Sequence, residues 1–388
     1  MAALSGGHLA VDFASGAVPA MLPLFKDRFG LSYALTAAIM LCATAASSLV
    51  QPLFGLFSDR RGALWLLPAG VGIAGIGTAL AALTHVYVLV LVCVFLTGLG
   101  VAAFHPEGAK FASFASGRKR ASGMALFNIG GNMGYALGPI VIAPLIYWHG
   151  LSSAAVVAIP ISIGAVAIGR TLPYLRGIVP ARAGREAAAA VEQRGSLGVL
   201  LTVVVLRSVA FFGLLTFAPL YLSSGSVTGQ WHGHSLSHWV LPLVLSAGAV
   251  GTLTLGPVAD RIGLTRTLLL TQAAIAPLIV VFVLRGGIVG VVALMGVAVC
   301  VVGTYGVTMV LSQQYLPRHV ALASGLNVGL AVGLGGVAAV CLGLVADAID
   351  LRTALFVSAG APVLGVLLCL LLPTPAPTRR LAVESVAP

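Results

Sequence analysis

The chain has 388 residues, of which 8% are charged, whereas about 25% are charged in a typical soluble globular protein. Apolar residues make up 59% of the chain, and its mean hydropathy is +1.07. So few polar side chains cannot cover a water-soluble fold of this size, which excludes a soluble enzyme and a disordered chain. The net charge of +11 is not gathered into a basic domain with interleaved aromatic residues, so nucleic acid is not an expected partner. The lipid bilayer is the expected one.

Long apolar runs divide the chain into two sets of six. A membrane-spanning helix needs about 20 apolar residues, and the alternating pattern of a transmembrane barrel is missing. The runs lie at roughly 4–25, 33–57, 63–83, 86–112, 121–147, 152–172, 197–222, 238–258, 265–284, 288–311, 322–346 and 353–372. The sequence therefore predicts an all-α membrane protein with 12 transmembrane helices.

The same pattern predicts the domain organisation. Six-helix bundles are expected at 1–172 and 197–372, joined by a cytoplasmic linker at 173–196 and followed by a cytoplasmic tail at 373–388. The linker is rich in Arg and Glu and contains the run Ala187–Ala190, which is compatible with a short amphipathic helix.

Lys and Arg predict the orientation. If both termini are cytoplasmic, the inner segments hold 16 of the 21 Lys and Arg residues and the outer segments hold four. This bias is the one that cytoplasmic loops show, and it predicts a multi-pass membrane protein with both termini cytoplasmic. The first apolar run carries His8 and Asp12, which the core of a cleaved signal peptide would avoid. It is therefore expected to be the first span.

The two halves repeat each other. Residues 55–62 are echoed by residues 256–263 at an offset of 201, and residues 121–123 by residues 323–325 at an offset of 202. Each pair lies in corresponding loops of the two halves, which indicates a duplicated six-helix unit. Duplicated bundles with a site at their interface are typical of transporters.

The first repeated loop resembles the signature of the major facilitator superfamily. It reads Gly55-x-x-x-Asp59-Arg60-x-Gly62, and its second copy contains Asp260 and Arg261. The glycines would allow close packing and a tight turn, Asp59 could accept from a helix N-terminus, and Arg60 could bridge to a carboxylate. The resemblance implies a latch that closes the cytoplasmic side in the outward-facing state. The alternative is an ordinary polar turn.

A narrower resemblance is to the fosmidomycin-resistance group of bacterial drug-efflux transporters. It is carried by His8-x-x-x-Asp12, by residues 104–108, by Gly134-x-x-x-Gly138-Pro139 and by the Leu316-Pro317 pair. It implies drug/proton antiport, with the proton gradient as the drive and no bound cofactor. The sequence departs from the family pattern at two places. Val94 stands where many superfamily members carry an Arg, and the glycine motif of antiporters is only partial. The direction of transport is therefore implied by the resemblance to the group alone.

Four residues are candidates for proton coupling. His8 and Asp12 are four residues apart and share one face of the first helix. His105 and Glu107 flank Pro106 in the fourth helix, and the resemblance would bring all four side chains towards one another. An ionised carboxylate is costly in hydrocarbon, so Asp12 must pair, take a proton or line a wet cavity. The alternatives are a structural hydrogen bond for Asp12, and for Glu107 an ion pair with Lys110, Arg118 or Arg120.

Substrate-binding candidates lie in three other helices. Arg207 is the one basic residue deep in a helix, where it could bind an anion, pair with Asp12 or bond to backbone carbonyls. The remaining candidates are Asn128, Asn132, Tyr135, Tyr305 and Phe211. The Asn pair could equally serve helix packing beside its glycines, and lipid or core contacts are the favoured alternative for Phe211.

Other classes are less well supported. His232, His234 and His238 crowd an outer loop, where a solvated loop is favoured over a metal site. No Gly-x-Ser-x-Gly or His-Glu-x-x-His motif supports a membrane-embedded enzyme. We therefore predict a monomeric, proton-coupled exporter of a small molecule. An importer or symporter is the main alternative and a receptor a minor one.

Overall fold

The chain is described by a computed structural model that covers residues 1–31, 33–117, 119–178, 191–223, 230–231, 234–235 and 240–374. Within these residues, 12 helical segments are long and apolar enough to cross a membrane. The sixth of these segments begins with a 3₁₀ helix, and the described residues also contain a two-stranded antiparallel ladder of two residues a strand. The predicted all-α fold with 12 spans is confirmed.

The first half contains six spans. Its helices are α1 (Ala2–Phe29), α2 (Tyr33–Arg61), α3 (Leu66–Leu83), α4 (Tyr87–Ala115), α5 (Arg120–His149), the 3₁₀ helix at Leu151–Val157, and α6 (Ala158–Ile178). The 3₁₀ helix and α6 together form the sixth span.

The second half also contains six spans. Its elements are α7 (Arg194–Ser223), β1 (Gln230–Trp231), β2 (His234–Ser235), α8 (Val240–Ile262), α9 (Leu264–Arg285), α10 (Gly287–Gly303), α11 (Tyr305–Tyr315), α12 (Val320–Ala348) and α13 (Leu351–Cys369). The tenth span consists of α10 and α11, which are separated at Thr304.

Each half has its own apolar core, and large apolar side chains cover the outside as lipid requires. Since lipid is as apolar as Leu, helices in a membrane associate through close packing of small residues. The α1–α5 pair follows this rule. A Cβ atom added at Gly130, Gly134 or Gly138 would overlap the backbone of α1. The close packing predicted for the glycines beside the Asn pair is confirmed for Gly130 and Gly134.

Two aspartates, Asp59 and Asp260, join the bundles through hydrogen bonds that we call the first and the second latch. The Asp59 carboxylate, at the end of α2, accepts hydrogen bonds from the backbone N–H groups of Ala321 (3.1 Å) and Leu322 (2.8 Å). Asp260, at the end of α8, accepts from the N–H groups of Ala121 (3.1 Å) and Ser122 (2.9 Å). The first N–H groups of a helix lack partners within it and carry positive partial charge, so a carboxylate there is favourable. Each bundle thus caps a helix of the other.

Gly55 and Gly62 serve the first latch in different ways. A Cβ atom on Gly55 would overlap the backbone of Ala321 and Leu322, so only glycine lets α2 approach α12 this closely. Gly62 has φ +64°, a left-handed conformation that glycine adopts without strain. The predicted close packing and tight turn are confirmed, and the bundles are closed at the end where both repeated loops lie.

The ion pair expected for Arg60 is not found among the described residues, and a different cation lies next to Asp59. The side chains of Arg60 and Arg261 are exposed. Neither takes part in the ion pairs found among the described residues. The cation beside Asp59 is Lys110 of α4, with Nζ 3.8 Å from Oδ1 of Asp59. It lies inside the bundle, where less water screens it than at the exposed loop.

The linker meets the second bundle next to the first latch. Nδ1 of His319 lies 2.7 Å from Oε1 of Glu192, and the N–H of Gln193 donates to the carbonyl of Tyr315 over 2.8 Å. These contacts lie at the loop between α11 and α12. The predicted amphipathic helix of the linker falls largely outside the described residues, as do His232 and His238.

Candidate functional site

Two histidines and an aspartate meet inside the first bundle. Nε2 of His8 lies 3.3 Å from Oδ2 of Asp12, and Nε2 of His105 lies 3.5 Å from Oδ1 of the same carboxylate. The two Nε2 atoms are 3.1 Å apart. The side chains of His8, His105 and Asp12 are 7%, 13% and 17% exposed, respectively. The predicted approach of α1 and α4 residues is therefore seen for these three, which we call the His–Asp–His cluster.

Backbone carbonyls fix the orientation of both imidazole rings. Nδ1 of His8 donates to the carbonyl of Phe127 over 2.8 Å, and Nδ1 of His105 donates to the carbonyl of Val101 over 2.8 Å. A carbonyl can only accept, so each Nδ1 carries a hydrogen. In a neutral ring the other nitrogen then has a lone pair and no hydrogen. Both Nε2 atoms are thus acceptors unless a proton is added.

Three acceptors therefore converge on one point. The two Nε2 lone pairs and the Asp12 carboxylate repel one another until a cation lies among them. One added proton turns the contact between the histidines into an N–H···N hydrogen bond beside a carboxylate. Among the described residues, this is the one group of three His, Cys, Asp or Glu side chains with ligand atoms within 4.8 Å of one another. A metal ion would also fit there if the chain bound one.

The helix α5 closes the cluster from a third side. The ring of Phe127 stacks on that of His8, with 4.2 Å between centroids and 27° between planes. A Cβ atom on Gly131 would overlap Nε2 of His8 and lie 2.6 Å from Oδ2 of Asp12. Neither residue was predicted to serve the cluster, because their contribution depends on how α5 crosses α1.

We expect Gly131→Ala to disturb the cluster. The added methyl group occupies the space of the His8 and Asp12 side-chain atoms, so these atoms must move apart, at a cost of about 1–3 kcal/mol. The pH at which proton-driven transport reaches half its maximum should shift, whereas Gly72→Ala, where nothing lies within 4 Å of the added atom, should leave it unchanged. The comparison is a pH series of transport in proteoliposomes. Identical pH profiles for both variants would contradict this role of Gly131.

Glu107 lies in a different cluster from the one we predicted. It is fully buried; its Oε2 accepts from the hydroxyl of Ser58 and lies 2.7 Å from Nζ of Lys110. Lys110 also donates to the Ser58 hydroxyl over 2.6 Å. The alternative ion pair with Lys110 is thus what the structure contains. Glu107 belongs to the surroundings of the Asp59 latch.

Arg207 of α7 is fully buried in the second bundle. Its Nη1 donates to the hydroxyl of Thr304 over 2.7 Å, and its guanidinium carbon lies 5.0 Å from the centroid of the Tyr305 ring. Nε and Nη2 have no hydrogen-bond partner among the described residues. The expected alternatives of pairing with Asp12 or with backbone carbonyls are not realised. Thr304 was not predicted, although it directly follows a glycine within the tenth apolar run.

The remaining candidates differ in their surroundings. Asn132 and Tyr135 are exposed and Asn128 is half-buried, so all three are accessible on α5. Tyr305 is half-buried and covers Arg207. Phe211 packs in the apolar core of the second bundle against Phe212. This placement matches the core contact that was the favoured alternative, and it argues against Phe211 as a binding residue in this arrangement.

The fold consists of two repeated six-helix bundles, and a comparison with known sequences shows the class of protein to which it belongs. The sequence model of the Major Facilitator Superfamily matches residues 4–340. The chain belongs to this superfamily and is a multi-pass membrane transporter.

Two curated relatives match nearly the whole chain. The "Uncharacterized MFS-type transporter YfnC" of Bacillus subtilis is 30% identical over 372 residues, which are 94% of this chain and 90% of that protein. The "Fosmidomycin resistance protein" of Escherichia coli is 28% identical over 373 residues, 95% of this chain and 91% of that protein. The resemblance to the fosmidomycin-resistance group is thereby confirmed.

Solved structures share the fold at low sequence identity. The transporter FucP in its outward conformation has a TM-score of 0.76 and 14% identity, with 96% of this chain and 98% of that chain covered. The human organic anion transporter MFSD10 has a TM-score of 0.70 and 16% identity, with 95% and 98% covered. These matches establish the fold and leave the substrate open.

Proposed function

We propose that the protein is a proton-coupled exporter of small molecules in the bacterial plasma membrane, with both termini cytoplasmic. The observation that supports this most is the convergence of three acceptors in the His–Asp–His cluster. One added proton would join the two Nε2 atoms by a hydrogen bond beside the carboxylate. The coupling ion is then the proton, and no other cofactor is needed.

Protonation would act through the charge of the cluster. Without the added proton, the cluster carries the single negative charge of Asp12; with it, the cluster is neutral. A ligand shifts a conformational equilibrium only as far as its affinities for the two states differ. A change of one charge in a poorly solvated bundle supplies such a difference. In this proposal the protonated cluster favours one arrangement of the bundles and the unprotonated cluster the other.

Export is supported by the relative named for fosmidomycin resistance, which covers almost the whole chain. Lowering the internal concentration of a drug is the simplest way for a transporter to confer resistance. Fosmidomycin is therefore the first substrate to test, and antiport against protons is the corresponding mode. The 16-to-4 distribution of Lys and Arg supports the cytoplasmic placement of the latch end.

Proton symport is the second candidate, and the unneutralised charge of Arg207 favours it. An unneutralised buried cation can bind an anion, and a proton carried along with that anion offsets part of its charge. Proton and anion would then bind and move together. This mode fits the same fold, because fold does not fix direction.

An experiment with imposed pH gradients separates these modes. Proteoliposomes preloaded with unlabelled fosmidomycin are given labelled fosmidomycin outside, with the lumen either acidic or alkaline. Antiport predicts accumulation of the label when the lumen is acidic, because protons leaving the lumen drive entry. Symport predicts accumulation when the lumen is alkaline. Equal uptake of the label with an acidic and with an alkaline lumen would refute proton coupling.

A further inference from the structure

One edge of the Arg207 guanidinium, formed by Nε and Nη2, has no hydrogen-bond partner among the described residues, and we call it the open edge. The guanidinium uses Nη1 to reach Thr304. Buried N–H groups without partners are costly, especially on a charged group. The Nε–Nη2 edge of a guanidinium has the spacing of two oxygens of one carboxylate or phosphate, to which it donates two parallel hydrogen bonds.

Arg207 also lacks a counter-ion. The ion pairs found among the described residues involve His8, His105, Lys110, Arg194 and His319, and none includes Arg207. Its hydrogen-bond and cation–π partners among the described residues are a hydroxyl and an aromatic ring. Removing a cation from water without a partner carries a large penalty, which a permanent anion of the protein does not relieve here. An anion that enters and leaves would relieve it.

A helix break lies next to Arg207 and is bound by its Nη1. The tenth span is interrupted at Thr304, so that α11 begins with its own N-terminus at Tyr305. The hydroxyl of Thr304 accepts from Arg207 and donates to the carbonyl of Cys300 over 2.6 Å, which ties Arg207 to the break. The N-terminal end of a helix carries positive partial charge, and interrupted helices of transporters use such ends to bind anionic groups.

The break lies at the interface between the bundles. A Cβ atom added at Gly306 would lie 3.3 Å from Cβ of Met124, which belongs to α5 of the first bundle. Tyr305 is half-buried, and its ring covers the guanidinium. Tyr305 is thus a partly exposed residue in contact with the fully buried Arg207.

We propose that Arg207, Tyr305 and the N-terminus of α11 form a binding site for a compact oxyanion, and that the transported substrate carries such a group. Carboxylate, phosphate and phosphonate share the required chemistry, which is two or more oxygens that accept from one guanidinium edge. The substrate part of this statement rests on the proposed function. The anion site itself does not.

Matched pairs of small probes test the site on the purified full chain. Acetate is compared with acetamide, and methylphosphonate with its neutral dimethyl ester, at constant ionic strength set by sodium chloride. The melting temperature should rise with the concentration of each anion and stay constant with its neutral counterpart. Absence of any rise with both anions would overturn the proposal.

Substitutions locate the effect. Arg207→Gln should abolish the rise, and Arg207→Lys, which keeps the charge without the forked edge, should raise the half-saturating anion concentration at least about tenfold. Arg352→Gln is the matched control, because Arg352 also lies over an aromatic ring, at 5.8 Å from the centroid of Phe356, but is exposed. It should respond like the wild type. If Arg207→Gln does not fold, an unchanged response of Arg207→Lys overturns the proposal by itself.

Different experimental results would refute the proposed function and the anion site. Asp12→Asn should keep the anion-dependent rise in melting temperature although it loses proton-driven flux. Flux that ignores pH gradients, together with a normal anion response, would refute proton coupling and leave the site intact. An Arg207→Gln protein that is monodisperse and still stabilised by both anions would refute the site alone.

Discussion

Replacing Asp12 by Asn is expected to reduce proton-driven transport to the level of liposomes without protein. The amide has the size of the carboxylate and can still bond to His8, so the helices should pack as before. It has no negative charge, however, and its nitrogen can donate to a neighbouring Nε2 lone pair. The histidines then no longer need an added proton, and the charge of the cluster ceases to depend on the pH gradient.

The measurement is uptake of labelled substrate into proteoliposomes under a pH gradient. Asp27→Asn is the matched control, because Asp27 lies on the same helix at an exposed position. It should transport like the wild type. Equal elution of all three proteins in size-exclusion chromatography shows that folding is preserved. Undiminished gradient-driven transport by Asp12→Asn would remove Asp12 from the mechanism.

The second large effect is expected from Gly55→Ala in the first latch. The new methyl group would overlap the carbonyl of Ala321 and the backbone of Leu322, and backbone atoms cannot move aside as the end of a side chain can. Overpacking of this kind costs about 1–3 kcal/mol, which lowers the ratio of the closed to the open arrangement roughly five- to 150-fold. Transport needs both arrangements and should fall accordingly.

Labelling of an engineered cysteine reports this change. Ser324 is 1% exposed in the closed arrangement, so Ser324→Cys in a cysteine-free background should react slowly with a maleimide. Adding Gly55→Ala should speed the reaction, because the end of the molecule that the latches close would then spend more time open. Gly72→Ala, a helical glycine with open space around it, should change neither labelling nor transport. Equal labelling rates for the two glycine variants would show that close packing at Gly55 does not control closure.

Features that depend on local spacing were predictable from the sequence. The latches follow from a short motif and its copy 201 residues later, since equivalent positions of a duplicated unit meet equivalent helices. The pairing of His8 with Asp12 follows from their separation of four residues on one helix.

The error over Glu107 has a geometric cause. Two residues along an α-helix rotate by about 200°, so His105 and Glu107 cannot both face the same partner. His105 faces α1, and Glu107 faces Ser58 on α2. Helical periodicity alone could have separated these two residues.

Features that depend on the contact between helices were not predictable. Gly131 reads as one more small residue of a packing face, and its role appears only when α5 is placed against α1. The break at Thr304 lies within a continuous apolar run, which is compatible with one unbroken helix. The bond from Arg207 joins residues 97 positions apart.

Proton movement driven by substrate tests the central proposal most directly. Proteoliposomes that enclose a pH-sensitive dye receive fosmidomycin outside, with no initial pH gradient. The sign of the pH change does not depend on how the protein is oriented in the vesicle, because exchange links entry of substrate to exit of protons in either orientation. Antiport through the His–Asp–His cluster predicts that the lumen becomes alkaline with wild-type protein and stays constant with Asp12→Asn. An acidified lumen, or the same alkaline shift with Asp12→Asn, would contradict it.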